Sequence, residues 1–336
     1  MRASSSSPFP TVPTVPLVSV VIPLYNKVRY IGRALDSVLA QTFSDFEVIV
    51  VNDGSTDGSG KAVEQYTDPR IRLVHREHVN SAGGHAARNL GIAEARADLV
   101  AFLDADDEWL PEHLEAILRM RQRFPDCGAY TTARRIIEKG GRRWTPAFAT
   151  IPESPWEGII PNYFRTVLLE GDPVNSSSVV IPKRVFDCVG LFPAGVLRGG
   201  DTDMWCRIAL TYPIAFSTQV GEICHREVEG RISHSPKPRE LRVIESLKRA
   251  LELGTLPTEV PRVDVVEYKN KLHIICASRC IHAGLSMKAR EHLRAAVSTG
   301  LFRRTRRFMY VLTFVPGTLA RWALRIMRRS AKSVSA

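Results

Sequence analysis

The chain has 336 residues, enough for one large domain with an extension, and an ordinary globular mixture of 44% hydrophobic and 24% charged residues. Its net charge of +11 sits at one end: the stretch from Leu293 to Ala336 holds ten Lys or Arg and no Asp or Glu, so the remainder is close to neutral. That distribution gives no support to a nucleic-acid-binding fold and leaves a local question about a basic tail.

The Ser-, Pro- and Thr-rich run from Met1 to Pro16 lacks the apolar stretch of a secretory signal and reads as a disordered lead-in. Val18 to Pro23 predicts a buried strand closed by proline. Tyr30, Ile31, Ala34, Leu35, Val38 and Leu39 recur at helical spacing. A second strand, Phe46 to Val51, runs into Asn52-Asp53-Gly54, after which Ser55 and Thr56 are placed to cap a helix over 57–66. A third strand covers Ile71–His75. The Ser-Ala-Gly-Gly run at 81–84 leads into a helix over 85–95, and a fourth strand, Leu99–Leu103, opens onto Asp104-Ala105-Asp106-Asp107. Pro111 suits the first turn of the next helix. This alternation predicts an α/β fold, a mostly parallel sheet with helices on both faces, which binds ligands at the carboxyl ends of its strands. Tyr25, Asp53 and Asp104 to Asp107 all follow strands and so face one crevice.

From Cys127 to Glu229 the periodicity weakens. A loop-rich stretch over 144–158 precedes a strand at Ser177–Pro182, then a Gly199-Gly200 turn and a helix starting near Asp201. Beyond residue 240 the chain reads as helical, with an antiparallel pair over 263–281 and 287–297. The expected organisation is a lead-in over 1–16, an α/β domain over 17–235, a helical extension over 236–300 and a basic amphipathic tail over 301–336. The six cysteines form no Cys-x-x-Cys pair and, like the nine histidines, show no metal spacing. They read as reduced thiols of a cytosolic protein. No run approaches the roughly 18 apolar residues of a spanning helix.

Asp104 and Asp106, two apart beyond an apolar strand, place two carboxylates on one side. Carboxylates held that close repel unless a cation joins them, and a hard divalent ion, Mg2+ or Mn2+, shared with phosphate oxygens, meets that need. The competing reading is a solvated acidic turn; alignment with the other polar clusters favours the metal. Asp53 before Gly54 is also turn chemistry, but at a strand end beside Asp104 it suits a base N–H or a ribose hydroxyl. Arg88 is placed to neutralise carboxylates and hold a diphosphate. Asp201 either caps its helix or acts as general base toward an attacking hydroxyl. Asp203 and Arg207, four apart, can pair on one helix face, so the chemistry is assigned to Asp201 and its support to Asp203. Gly60-Lys61 fails as a phosphate loop because Ser55 and Ala62 stand where Gly and Ser/Thr are required. His225 and His234 read as solvated loop histidines.

Val-Ser-Val-Val-Ile-Pro-Leu-Tyr-Asn, Val-Val-Asn-Asp-Gly-Ser-Thr-Asp, Ala-Arg-Asn-Leu-Gly-Ile and Phe-Leu-Asp-Ala-Asp-Asp, in that order, resemble the signature of inverting family 2 glycosyltransferases. The likeness covers residues 17–120 and, more loosely, 170–212. It implies a GT-A fold, an open nucleotide-binding α/β sheet. By that resemblance Pro23, Tyr25 and Asp53 frame the nucleotide base and Arg88 approaches the nucleotide. Asp104 faces ribose and metal, and Asp106 binds the Mg2+ or Mn2+ that bridges the diphosphate. The family usually carries Glu-Asp before its final catalytic helix; Gly200-Asp201 stands there, keeping the base and lacking the Glu. The implied reaction is a single displacement from a nucleotide-diphosphate sugar, UDP before GDP or dTDP. The acceptor is a hydroxyl of a saccharide or lipid-linked molecule in surface polysaccharide or glycolipid assembly. The rivals are a nucleotidyltransferase, which would release pyrophosphate, and a non-catalytic sugar-nucleotide-binding module.

In the tail, Phe308 to Val315 is apolar except for Thr313 and lies between arginine clusters, a pattern suited to the plane of an anionic membrane. The alternative is a terminal helix packed on the domain. The expected location is cytoplasmic, peripheral on the inner face of the cell membrane.

Overall fold

The structure, a computed structural model, describes residues 15–77, 84–196, 198–228, 241–297, 300–315 and 317–333. The lead-in up to residue 14, positions 81–83 of the Ser-Ala-Gly-Gly run and His234 lie outside the described residues. In chain order come β1 (Val18–Leu24), α1 (Ile31–Leu39), β2 (Phe46–Asp53), α2 (Ser59–Glu64), β3 (Ile71–Arg76), α3 (His85–Glu94) and β4 (Leu99–Phe102). Then follow β5 (Glu108–Trp109), α4 (His113–Arg123), β6 (Ala129–Ile137), β7 (Arg143–Trp144), β8 (Glu157–Ile159), α5 (Tyr163–Leu169), β9 (Val179–Pro182), α6 (Lys183–Val189), α7 (Gly200–Ala209) and β10 (Ile214–His225). The remainder is helical: α8 (Arg242–Leu253), α9 (Arg262–His282), α10 (Ser286–Ala295), α11 (Arg303–Leu312) and α12 (Gly317–Ser333).

One sheet runs β3-β2-β1-β4-β9-β6-β10-β5. Its first four strands are parallel, β9 is antiparallel to both neighbours, and β6 and β10 are again parallel. Period-2 alternation divides the core. Val18, Val20, Ile22 and Leu24, with Val48, Val50, Leu99 and Ala101, pack against Ile31, Leu35 and Val38 of α1 and Leu114, Ile117 and Met120 of α4. Val21, Ile49, Val51, Val100 and Phe102 point the other way, into a core with Ala87 of α3, Phe164 of α5, Trp205 of α7 and Tyr268 of α9. Both faces of these strands are covered, which is why they read as unbroken apolar runs. A Cβ at Gly91 would stand 2.3 Å from Val21 Cγ1, so glycine lets α3 lie directly on β1. The N-terminal residues of α3 then reach the carboxyl ends of the strands.

Three local expectations change. Ser55 and Thr56 do not cap α2, which begins after Gly58 in the left-handed conformation. They hold Asn26 instead: the Asn26 backbone N–H donates to Ser55 Oγ and the Thr56 N–H to Asn26 Oδ1. Pro111 precedes α4 by two residues rather than opening it. The aperiodic middle contains β6 and β10, the latter 12 residues long and bulged against β6.

The tail packs on the helices before it through one face of its apolar residues. Met309, Leu312, Ala320 and Leu324 are buried against Ile274, Ala277 and Ile281 of α9 and Ala289 and Leu293 of α10. Phe308, Val311, Phe314, Leu319, Trp322 and Ile326 stay exposed. Among the described residues no helix is long and apolar enough to cross a membrane.

Candidate active site

At the carboxyl end of β4 the chain turns at once, with the Asp107 N–H donating to the Asp104 carbonyl. This turn, rather than strand alternation, gathers the acids: one oxygen each from Asp104, Asp106 and Asp107 lies within 4.8 Å of the others. Ser177, just before β9, fixes its shape by accepting from the Asp104 N–H at 3.2 Å and donating to Asp107 Oδ2 at 2.7 Å. The His225 N–H donates to Asp107 Oδ1 at 2.9 Å. Asp107 is thus committed to holding the turn, while Asp104 and Asp106 face cations. Lys27 Nζ lies 3.0 Å from Asp106 Oδ2, and Arg88, itself buried, pairs with Asp104. Hard carboxylate oxygens this close suit a Mg2+ or Mn2+ ion, with which the two side-chain cations would compete.

Asp53 ends β2 opposite Arg76 of β3, and the two form an ion pair. Tyr25 is 45% exposed beyond the end of β1, and Pro23 lies half-buried in that strand. A Cβ at Gly84 would lie 3.8 Å from the Pro23 ring and 3.4 Å from Arg88, so the entry to α3 fits between them. Tyr25, Asp53, Asp104 and Asp106 lie at the carboxyl ends of parallel strands, as expected from the sequence, and Pro23 of β1 and Arg88 of α3 lie at the same edge of the sheet.

Asp201 is in the first turn of α7, which follows Gly199 in the left-handed conformation with no side-chain cap. The capping role is therefore vacant of Asp201, which makes no hydrogen bond or ion pair with the described residues. Asp203 contrasts with it: Arg207 Nε donates to one carboxylate oxygen at 2.9 Å and Ser246 Oγ to the other at 2.8 Å. Burial raises the Asp172 carboxyl to about 7, against the Val174 N–H that accompanies it, and Asp201 adds to the rise. Glu222, buried beside Asp107, is pushed up to about 8 by burial first and Asp107 second.

Several participants carry no signal of their own in the sequence. His225 is buried, not solvated: its Nδ1 meets Glu227 at 2.7 Å and its Nε2 meets Glu108 at 3.0 Å, tying β10 to the acidic turn. Asn89 fixes the backbone of Phe192 in both directions, by Nδ2 to its carbonyl at 2.8 Å and from its N–H at 3.0 Å. Phe192 in turn stacks on His85 and lies under the Arg88 guanidinium. His85 is 3% exposed, and burial first, then Arg88, drive its pKa down to about 4.

The chain matches the family model described as glycosyl transferase family 2 over residues 19–177. WcaA of Escherichia coli, named a putative colanic acid biosynthesis glycosyl transferase, is 30% identical over 231 residues, 66% of this chain and 77% of that protein. An uncharacterized glycosyltransferase of Rickettsia felis is 32% identical over 57% of this chain and 30% of its own length. The chain spans about a third or less of several curated relatives. Among solved structures, TarS 1–349 of S. aureus in complex with UDP-GlcNAc superposes with a TM-score of 0.65 at 18% identity, over 92% of this chain and 91% of that one. The mannosyltransferase PcManGT of Pyrobaculum calidifontis, in complex with GDP-Man and Mn2+, gives 0.56 at 20% identity, over 93% and 87%. Those two likenesses establish the GT-A type of fold. With the family model and the length of the WcaA match, they lead to one assignment: the chain belongs to glycosyltransferase family 2.

Proposed function

We propose that the chain is an inverting, metal-dependent transferase that moves a sugar from a nucleoside diphosphate, UDP foremost, to a hydroxyl of a saccharide or lipid-linked acceptor in surface polysaccharide assembly. The observation that carries the reading is the contrast on α7: Asp203 is doubly bonded, while Asp201 makes no hydrogen bond or ion pair with the described residues. An acid left open beside a charged crevice suits proton transfer. In the proposed step Asp201 takes the proton of the acceptor hydroxyl as that oxygen bonds to the anomeric carbon. The bond from that carbon to the diphosphate oxygen breaks, the configuration inverts, and the diphosphate leaves with the electron pair. Pro23, Tyr25 and Asp53 frame the base, and Arg88 meets the phosphates. Asp104 and Asp106 would hold Mg2+ or Mn2+, whose chemistry is to neutralise the departing charge. TarS bound to UDP-GlcNAc and PcManGT bound to GDP-Man and Mn2+ support a donor of this class by shared fold.

The division of labour is part of the proposal: 17–235 carries the reaction, 236–300 extends it, and 301–336 rests on an anionic membrane surface at the cytoplasmic face. Calorimetry with UDP, GDP, dTDP and CDP, with and without Mn2+, tests the reading. We expect one diphosphate to bind in a metal-dependent way and Asp106→Ala to abolish that dependence. Binding of none of the four would overturn the transferase reading and favour a degenerate module.

A further inference from the structure

His85 is the one buried imidazole among the described residues that stands at the crevice with neither ring nitrogen hydrogen-bonded. It opens α3, and its ring lies parallel to Phe192 at 5.9 Å between centroids. Phe192 is itself held by Asn89 and wedged edge-on against Phe102 and Trp205, so the platform is rigid. On its other side the ring abuts α7: a Cβ at Gly200 would stand 2.6 Å from His85 Nε2. Any side chain at 200 would collide with the imidazole, so the ring fills the volume such a side chain would enter. The charges it feels are Arg88, Asp201, Asp104 and Asp203. His85 is therefore within electrostatic reach of both the Arg88–Asp104 pair and Asp201, and packs on Gly200 beside the latter.

Leaving two buried polar atoms without partners is costly unless a ligand satisfies them. At the pKa already given, the ring is neutral near pH 7, with one nitrogen donating and the other accepting. A diphosphate, offering only acceptors, can meet the N–H and never the other nitrogen, and an apolar group meets neither. A sugar hydroxyl both donates and accepts, so it can meet either nitrogen.

We propose that His85, with Gly200 as its matched partner, is a sugar-binding residue that hydrogen-bonds a hydroxyl of the transferred sugar near the Arg88–Asp104 pair and Asp201. The proposal rests on the transferase reading above, and the two are separated by comparing free diphosphates with their sugar conjugates. The probes are UDP and GDP against UDP-GlcNAc, UDP-glucose and GDP-mannose, titrated with Mn2+ into wild type, His85→Leu and His85→Gln. His85→Leu fills similar volume without hydrogen bonds; His85→Gln restores a donor and an acceptor without the ring. We expect His85→Leu to weaken the bound nucleotide sugar about tenfold while leaving its free diphosphate unchanged, and His85→Gln to recover most of the loss. A spacer role would give the reverse order, Leu tolerated and Gln damaging, and would overturn the proposal. So would an equal loss for diphosphate and conjugate in His85→Leu. Binding of no probe by wild type would overturn both this proposal and the transferase reading, whereas diphosphate binding with an unchanged sugar increment would overturn this proposal alone.

Discussion

Asp201 and Asp203 are two residues apart on one helix, yet their surroundings prepare them for different work. The carboxylate of Asp203 is already spent on Arg207 and Ser246, and Arg207 continues to the carbonyls of Gly190 and Leu191 at 3.0 and 2.9 Å. Removing its charge should damage the fold first. Removing that of Asp201 should leave the fold alone and damage the reaction. We expect Asp201→Asn to keep its thermal midpoint and its nucleotide affinity while losing about 10²- to 10⁴-fold in kcat. Asp203→Asn should lower the midpoint instead; full transfer by Asp201→Asn would remove the base assignment. Asp53, Asp104 and Asp106 were legible in the sequence because each lies at a strand end, a place that hydrophobic patterning can locate, and Asp201 because it follows two glycines at the start of a helix. Their partners were not. Lys27, Arg76, Ser177 and His225 meet Asp106, Asp53 and Asp107 only through tertiary packing, and no spacing rule connects positions 107 and 225. His85 was hidden for a further reason: its role depends on what is missing at Gly200.

Among the elements, the strands from β1 to β4 declared themselves because burial on both faces leaves little room for polar residues. β10 did not, because Ser217, Thr218, Gln219 and Gly221 break its alternation where it bulges against β6. A Cβ at Gly221 would stand 2.4 Å from Thr132 Oγ1, so close strand packing selects the very residue that disguises the strand. The tail helices divide a single amphipathic pattern between a packed face and an exposed one. α11 and α12 bury Met309, Leu312, Ala320 and Leu324 against the helices before them. They still present Leu319, Trp322 and Ile326 at positions one and two turns apart, and Phe314, just after α11, is 65% exposed. Arg303, Arg304 and Arg307 are exposed nearby and supply the charge that anionic headgroups attract. We expect the full chain to co-sediment with vesicles containing phosphatidylglycerol and far less with phosphatidylcholine alone. Replacing Phe314 and Trp322 together by Ser should release it without lowering the thermal midpoint, since neither side chain is in the core. Undiminished sedimentation of that double variant would count against a lipid-facing tail.

For the whole molecule, the buried ionisable groups set opposing demands on pH. His85, His113 and His273 have their pKa values lowered to about 4, 3 and 4, chiefly by burial. The unfolded chain takes up those protons more readily, so their contribution is complete above pH 6.5 and is lost as pH falls toward the native values. Asp172 and Glu222 behave oppositely. Their native values, raised to about 7 and 8 by burial, exceed 3.8 and 4.5, so the folded state holds the protons more tightly. Their contribution is complete at low pH and is lost as pH rises through 7 and 8. Between about pH 4 and 6.5 the two sets offset each other; above 6.5 only the acids act, each with a limiting slope of about 1.4 kcal/mol per pH unit. Stability should therefore fall between pH 6.5 and 8. Glu222→Gln removes the later of the two titrations while keeping an oxygen to accept from Asn175 Nδ2, as Glu222 Oε1 does at 2.5 Å. Urea midpoints measured from pH 6 to 9 should decline in wild type and flatten in the variant, so that the variant loses less from pH 6 to 9 than wild type does. Parallel curves would mean that Glu222 is already ionised in the native state, with its charge met by Asn175 and Arg134 rather than avoided by holding a proton.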